Sequence, residues 1–473
     1  MKQQTTSTAA LPSRIGLGRL ALIAGTMALG LTGAHAQSAF DTLDKDYKGQ
    51  VRIGAAQRGQ PLNAGGEVAV QGQNFKPGQK VQLLRGTTAL SDFTADAEGK
   101  IQGKFSLPAD AVVGTHPLIV TTDSPYFADV VKLKISPKVP LSGEDKFTMT
   151  SEKPGSGLYQ VAFSKKNNAL FVTSASGRPP VKNSELIKLD PLTLATIAKV
   201  TPADAPVQGE RGGGVFAVYG VGLDDSNDTV WVTNTRQNTV AVYKQSDLSL
   251  VKQFAPGAAE HARDVKVDEK NGKAYVSQVG VPEVAVFDTK TLEQRPSIQI
   301  QSKVRGEKFS PASLDLDAAN GKLFVVSLST NEVAVIDSAA GKVENVFPVK
   351  GGLSTIGVAY DAVDNRIFVA GQGSDDLLIL DAKTGDLLHD VAVGAGALNV
   401  TFEPVSKTAY VSARDSGTVT VVDADGKIIA NLSVAPFANH VVSDGKGGVY
   451  AVNKSLNPED DKGDRVTLIT PSK

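Results

Sequence analysis

The chain has 473 residues, and its 49 basic and 50 acidic side chains leave a formal net charge of −1. That balance excludes a broadly basic surface that would draw in a polyanion. With no cysteine, the chain also excludes disulfides, a thiolate nucleophile, thiolate-bound metal, c-type haem attachment and a lipid-modified cysteine.

Lys2, Arg14 and Arg19 precede an apolar run near Leu20 to Leu31, and Ala34-His35-Ala36 follows as a small-x-small site. This is the pattern of a cleavable export signal over residues 1–36, and the run is too short to span a bilayer. The expected mature chain starts at Gln37 and is periplasmic or secreted. Removing three basic residues leaves 46 against 50 acidic, a balance of −4. No later stretch is long and apolar enough to insert in a membrane, and a monomer is expected.

Residues 37–49 are polar and read as a leader. Residues 50–136 hold short strand patterns, QVRIGAA, EVAVQGQNF, KVQLLRG, KIQGKFSLP, THPLIVTT and VVKLKIS, separated by Gly and Pro turns. Six or seven such strands suit a small β-sandwich. Residues 137–144, with two prolines and a glycine, form a short extended linker. A lone strand pattern, DKFTMTSE, covers 145–152.

From there to 473 one unit recurs. DTVWVTNTRQNTVAVYK (Asp228 to Lys244) has relatives in KAYVSQVGVPEVAVFD, KLFVVSLSTNEVAVID, RIFVAGQGSDDLLILD and TAYVSARDSGTVTVVD. Trp231, Tyr275, Phe324, Phe368 and Tyr410 open the copies, and the second run closes 13 positions later in each, at Lys244, Asp288, Asp337, Asp381 and Asp423. Degenerate copies start at Phe171 and Tyr450, with six and seven extra residues. A period in the forties with several strands per unit signals a propeller, here of seven blades. The last copy has only three strands' worth of sequence. Phe147 to Ser151 is therefore assigned as its outer strand, because ring closure removes two exposed edges. The predicted class is all-β: a seven-bladed propeller over 145–473 behind a small sandwich.

An inner strand precedes each anchor. Its reference residues are Val161, Val221, Val265, Leu314, Val358, Val400 and Val441. The residue just before each reference, expected near the channel mouth, is Gln160, Gly220, Asp264, Ser313, Gly357, Asn399 or His440. Aspartates closing the third strands, as in DAKTG, read as turn caps.

GQNFKPGQKVQL and TADAEGKIQGKFSLPADAVVGTHPLIV resemble the immunoglobulin-like modules of exported bacterial proteins. WVTN at Trp231 to Asn234, with its YVS and FVT relatives, resembles the YVTN-repeat propellers, and within them the periplasmic YncE-like proteins. This likeness covers Asp145 to Thr470. It implies the fold and an exported location. It implies no common activity, although single-stranded DNA binding has been proposed within the family. The added N-terminal module departs from the simple propeller pattern.

The two insertions, 174–184 and 453–465, lie in neighbouring blades of a closed ring and lengthen loops on one face. Arg178, Lys182, Arg211, Arg236, Arg263, Arg305, Arg414 and Lys454 belong to that face, opposed by Glu210, Glu260, Glu283, Asp375, Asp376, Asp415, Asp460 and Asp461. Arginines there can clamp anionic groups. The expected binding residues are Arg178, Arg211, Arg236, His261, Arg263, Asp264, Asn399, Arg414 and His440. The reading favours a non-catalytic binding or scaffold protein taking a protein, glycan or small molecule on this face. A single-stranded DNA binder is the alternative, disfavoured by matched charge and by loops without aromatics. A lactonase-like hydrolase with His261 or His440 at the mouth is the second alternative. His116 and His389 read as structural, and no GxSxG, HExxH or phosphate loop occurs. No cofactor is expected. A quinone propeller would need repeated tryptophans, and Trp231 stands alone. The spacing of Asp460, Asp461 and Asp464 does not match a calcium loop.

Overall fold

The computed structural model describes residues 46–57, 59–123, 125–207, 213–457 and 459–472. The expected export signal, most of the leader, and Glu210 and Arg211 lie outside them. No helix among the described residues is long and apolar enough to cross a membrane.

Seven four-stranded antiparallel sheets form the larger part of the chain. Their inner strands are Leu158–Ser164, Val221–Asp224, Ala262–Asp268, Pro311–Asp317, Thr355–Asp361, Ala397–Glu403 and Ala438–Ser443. Each touches the next, and the seventh touches the first, so the ring is closed. The seventh sheet is completed by Phe147–Glu152, which pairs antiparallel with Val466–Pro471, as expected from the sequence.

The aromatic anchors lie on the second strands and are almost fully buried. Each reaches across to the following blade. Phe171 packs with Val221 and Val230 of blade two. Trp231 packs with Val265 and Phe287 of blade three, and Tyr450 meets Leu158 and Val161 of blade one. Burying such a ring stabilises by roughly 1.5–3 kcal/mol. The repeated aromatic is therefore a wedge between sheets as well as a core residue of its own sheet.

The hydroxyl two places after the anchor has a separate job. Six of the seven blades show a register shift where inner and second strands pair. Such bulges leave backbone groups off the ladder. Thr173 Oγ1 accepts the Gln160 N–H (3.2 Å), Ser277 Oγ that of Asp264 (3.0 Å) and Ser412 Oγ that of Asn399 (3.2 Å). In blade two Thr233 Oγ1 accepts the Gly220 N–H (2.7 Å) and donates to Arg263 O (3.3 Å).

The third-strand aspartates are turn caps. Asp190 Oδ1 accepts the backbone N–H groups of Leu192 and Thr193, and Asp381 Oδ1 those of Lys383 and Thr384. These hydrogen bonds hold both carboxyls below the usual range.

Ahead of the propeller lie two antiparallel sheets, one of three strands and one of four, around a single apolar core. Thr88–Thr94 is a seventh strand that the sequence reading passed over, since TALSDFT lacks clean alternation. Tyr47, assigned to the leader from the sequence, stacks on Phe127 at 3.9 Å and packs edge-on against Phe75, so it is part of the packed module. The linker is pinned to blade six: Asn431 Nδ2 donates to Val139 O and Pro140 O, and Ser142 bridges Asn431. Lys134 then reaches from the last sandwich strand to the loop of blade five. Its Nζ donates to Asp375 Oδ1 (2.5 Å) and Gln372 O (2.7 Å). That loop lies on the face of the insertions, so the small module sits against this face.

Replacing Thr233 by Val keeps the shape and strands the Gly220 N–H. Thr233→Val is expected to destabilise the chain by about 1–3 kcal/mol in equilibrium urea unfolding. A change within experimental scatter would contradict the role given to the hydroxyl.

Candidate functional site at the channel mouth

Each inner strand has its free edge toward the central channel, where no further strand can pair with it. The column just before each reference residue meets that need. Gln160 Oε1 accepts the N–H of Val221 in the next blade (3.0 Å). Asp264 Oδ2 accepts that of Leu314 (3.0 Å), and its Oδ1 that of Val265 (3.0 Å). Asn399 Oδ1 accepts that of Val441 (2.9 Å). His440 Nδ1 faces that of Val161 at 3.5 Å, a weaker version of the same stitch. Where the column holds glycine, neighbouring backbones close in. A Cβ at Gly220 would lie 2.3 Å from Arg263 O, and one at Gly357 would lie 2.9 Å from Asn399 Cα.

Three of the expected binding residues, Asp264, Asn399 and His440, are thus engaged in joining blades. The His440 imidazole is held down to about 3 by burial and by the charges of Lys266 and Arg263. It is neutral throughout the physiological range, and its imidazolium is too acidic to return from a proton abstraction near pH 7.

The column one residue further back lines a cavity of about 290 Å³ at the mouth: Tyr159, Tyr219, Arg263, Ile356, Leu398 and Asn439. Thr235, Arg236, His261 and Arg414 complete its wall together with ring residues, and neither Asp nor Glu is among the lining residues. Lys454, on the blade-seven insertion, sits 3.3 Å above the centre of the Tyr159 ring. Tyr159 meets Tyr219 edge-on at 4.6 Å. Arg414 lies over the Phe437 ring and donates through Nη1 to Asn439 Oδ1.

The cations here depress one another's protonation. Burial, then the Arg414 charge, holds the Lys454 amine down to about 7, with Asp464 opposing. Burial lowers Arg263, opposed by Asp264. His261 is lowered by burial, Arg236 and Arg263, against Glu260. Arg263 Nη1 donates to Ser313 Oγ (2.6 Å) and finds no carboxylate in ion-pair range among the described residues.

The structure therefore brings Arg236, His261, Arg263, Asn399, Arg414 and His440 of the expected residues around one cavity. Arg178 is exposed on the blade-one insertion and is not part of the cavity wall. Tyr159, Tyr219 and Lys454 join the site beyond the expected set. Their signal in the sequence is the column two places before the reference residue, and the position four after the anchor for Arg414 and Lys454. Asp460 and Asp464 direct their oxygens to N–H groups of Leu456, Lys462 and Gly157. Among the described residues no cluster of three or more metal-ligating side chains occurs.

The geometry defines a seven-bladed β-propeller with a cationic mouth. No family model matches the chain. YncE of Salmonella typhimurium is 23% identical over 342 residues, 67% of this chain and 88% of that protein. YncE of Escherichia coli is 23% identical over 276 residues, 54% and 70%. Among solved structures, hydrazine synthase of Kuenenia stuttgartiensis aligns with TM-score 0.54 and 16% identity over 68% of this chain and 97% of that one. Virginiamycin B lyase of Staphylococcus aureus aligns with TM-score 0.53 and 11% identity, over 69% and 100%. These likenesses support the propeller fold, and the chain carries a YncE-like β-propeller.

His440→Asn copies the stitch that Asn399 makes one blade earlier. Between pH 6.5 and 3 the unfolded chain binds a proton that the folded imidazole refuses, so stability falls as pH falls through this window. The variant is expected to lose that part of the acid dependence in urea unfolding at several pH values. An unchanged slope would contradict the buried neutral imidazole.

Proposed function

We propose that this chain is an exported, non-catalytic binding protein whose propeller docks its ligand on the face of the blade-one and blade-seven insertions, at the channel mouth. One observation carries the reading: a concave, preformed cavity ringed by positive side chains, with no acid among its described lining residues. Pockets with a few convergent polar groups are where small ligands bind. The YncE-like fold and the export signal read from the sequence support a periplasmic or secreted setting. The sandwich, resembling an immunoglobulin-like module, acts here as a fixed support clamped through Lys134 and Asp375.

The hydrolase reading loses its base at His440, which leaves His261, and Asp264 spends both oxygens on backbone groups. The single-stranded DNA reading lacks stacking platforms at the mouth. Lys454 covers one face of Tyr159, and Tyr219 is buried.

The test is retention from periplasmic extract by immobilised 37–473, with bound compounds identified by mass spectrometry. A compound held by the parent and lost from an Arg414→Ala/Lys454→Ala variant is the expected result. Equal retention by both would move the site away from the mouth.

A further inference from the structure

Four cations from four blades converge on the mouth: Arg236 of blade two, Arg263 of blade three, Arg414 of blade six and Lys454 of blade seven. None has a carboxylate in ion-pair range among the described residues. Asp415, next to Arg414 in the chain, interacts with its charge, while two other nearby acids are held by other groups. Asp264 is held by two backbone N–H groups. Asp464 accepts from Gly157 N (2.8 Å) and from the Ser455 hydroxyl (2.6 Å). Gathering like charges in a partly desolvated cavity opposes folding unless something offsets it. Arg263 commits one guanidinium nitrogen to Ser313 and Arg414 one to Asn439, which leaves each fork with further donors.

Ile356 and Leu398 of blades five and six add apolar surface to the wall, with Arg414 also supplied by blade six. The cavity therefore combines cationic and hydrocarbon surface. Its volume of about 290 Å³ suits a small molecule rather than a polymer.

We infer that the mouth binds a small organic polyanion, with two or more carboxylate or phosphate groups on a short carbon frame. The oxyanions face Arg236, Arg263 and Arg414, and the frame lies against Ile356 and Leu398. This inference rests on the binding-protein reading above and adds the chemical class of the ligand. Guanidinium forks accept either kind of oxyanion in bidentate fashion.

Lys454 gives the site a pH response. Its amine faces the Tyr159 ring, the Arg414 guanidinium and the Asp464 carboxylate. An anion binds best to the protonated amine, which is lost from the free protein as pH rises through about 7. Affinity therefore falls across that range. His261 does not produce the effect above pH 6.5, because burial, and then the charges of Arg236 and Arg263, lower it from that value.

Isothermal titration calorimetry of the mature chain in low-salt buffer, with citrate and glycerol 2-phosphate as separate probes, tests the inference. At least one probe is expected to bind, and the stronger arm tells carboxylate from phosphate. Arg414→Gln is expected to weaken it on the order of 30-fold or more. Arg263→Gln should act in the same direction and is paired with Arg414→Gln because Arg263 is partly buried and its loss can disturb folding. Lys454→Gln should flatten the pH dependence. No heat from either probe, or equal affinity in the folded Arg414→Gln variant, would overturn the polyanion class. The binding-protein reading would then stand or fall separately, on whether the Arg414→Ala/Lys454→Ala variant still loses the compound retained from extract.

Discussion

A closed ring of sheets leaves one edge of every blade facing the channel, and the rest of this propeller depends on how those edges are satisfied. A buried N–H without an acceptor costs about 1–3 kcal/mol, and seven inner strands multiply the problem. The chain answers it from two sides. A Thr or Ser on the second strand takes the N–H at the bulge, and Gln160, Asp264, Asn399 or His440 takes one from the next blade. The aromatic wedges then fill the space between sheets. At the outer edge the strand Phe147–Glu152 covers the last blade, so the two ends of the propeller are sewn into one sheet.

Polar residues one place before the reference join blades, and Gln160, Asn399 and His440 among them also border the cavity that the residues two places before the reference line. A polar ring that looks functional in a sequence can therefore be fully occupied in the fold. The cations at the mouth are in the opposite condition. Arg263 is partly buried with its protonation depressed, Lys454 is pressed onto an aromatic ring, and neither is offset by a dedicated ion pair among the described residues. Sites that break the usual rules of charge pairing are where binding is expected.

Much of the architecture was legible because it is periodic. The fixed spacing from anchor to third strand, the inner-strand references and the closing strand all follow from local pattern and from the cost of open edges. The capping role of Asp190 and Asp381 followed from turn chemistry. The features that escaped depend on nonlocal geometry. Tyr47 belongs to the folded module because it finds Phe127 across the sandwich, which no leader composition reveals. The strand Thr88–Thr94 is held by pairing with Lys80–Arg85 despite its weak pattern. The mouth column of the sequence reading held Asn399 and His440, which do border the cavity, but not Tyr159 and Tyr219, which lie one place further back and also line it. Arg178 was grouped with the mouth through its insertion, yet that loop keeps it exposed at the rim.

Crystals of the chain from residue 37 to 473 soaked in selenate would test the central claim most directly, through the anomalous signal of the bound anion. Selenate seated among the guanidinium groups of Arg236, Arg263 and Arg414, with His440 still facing the Val161 N–H, is the predicted result. Selenate ordered elsewhere on the molecule with the mouth free of it, or an anion bonded to His440 in place of Val161, would contradict the separation of stitching residues from binding residues.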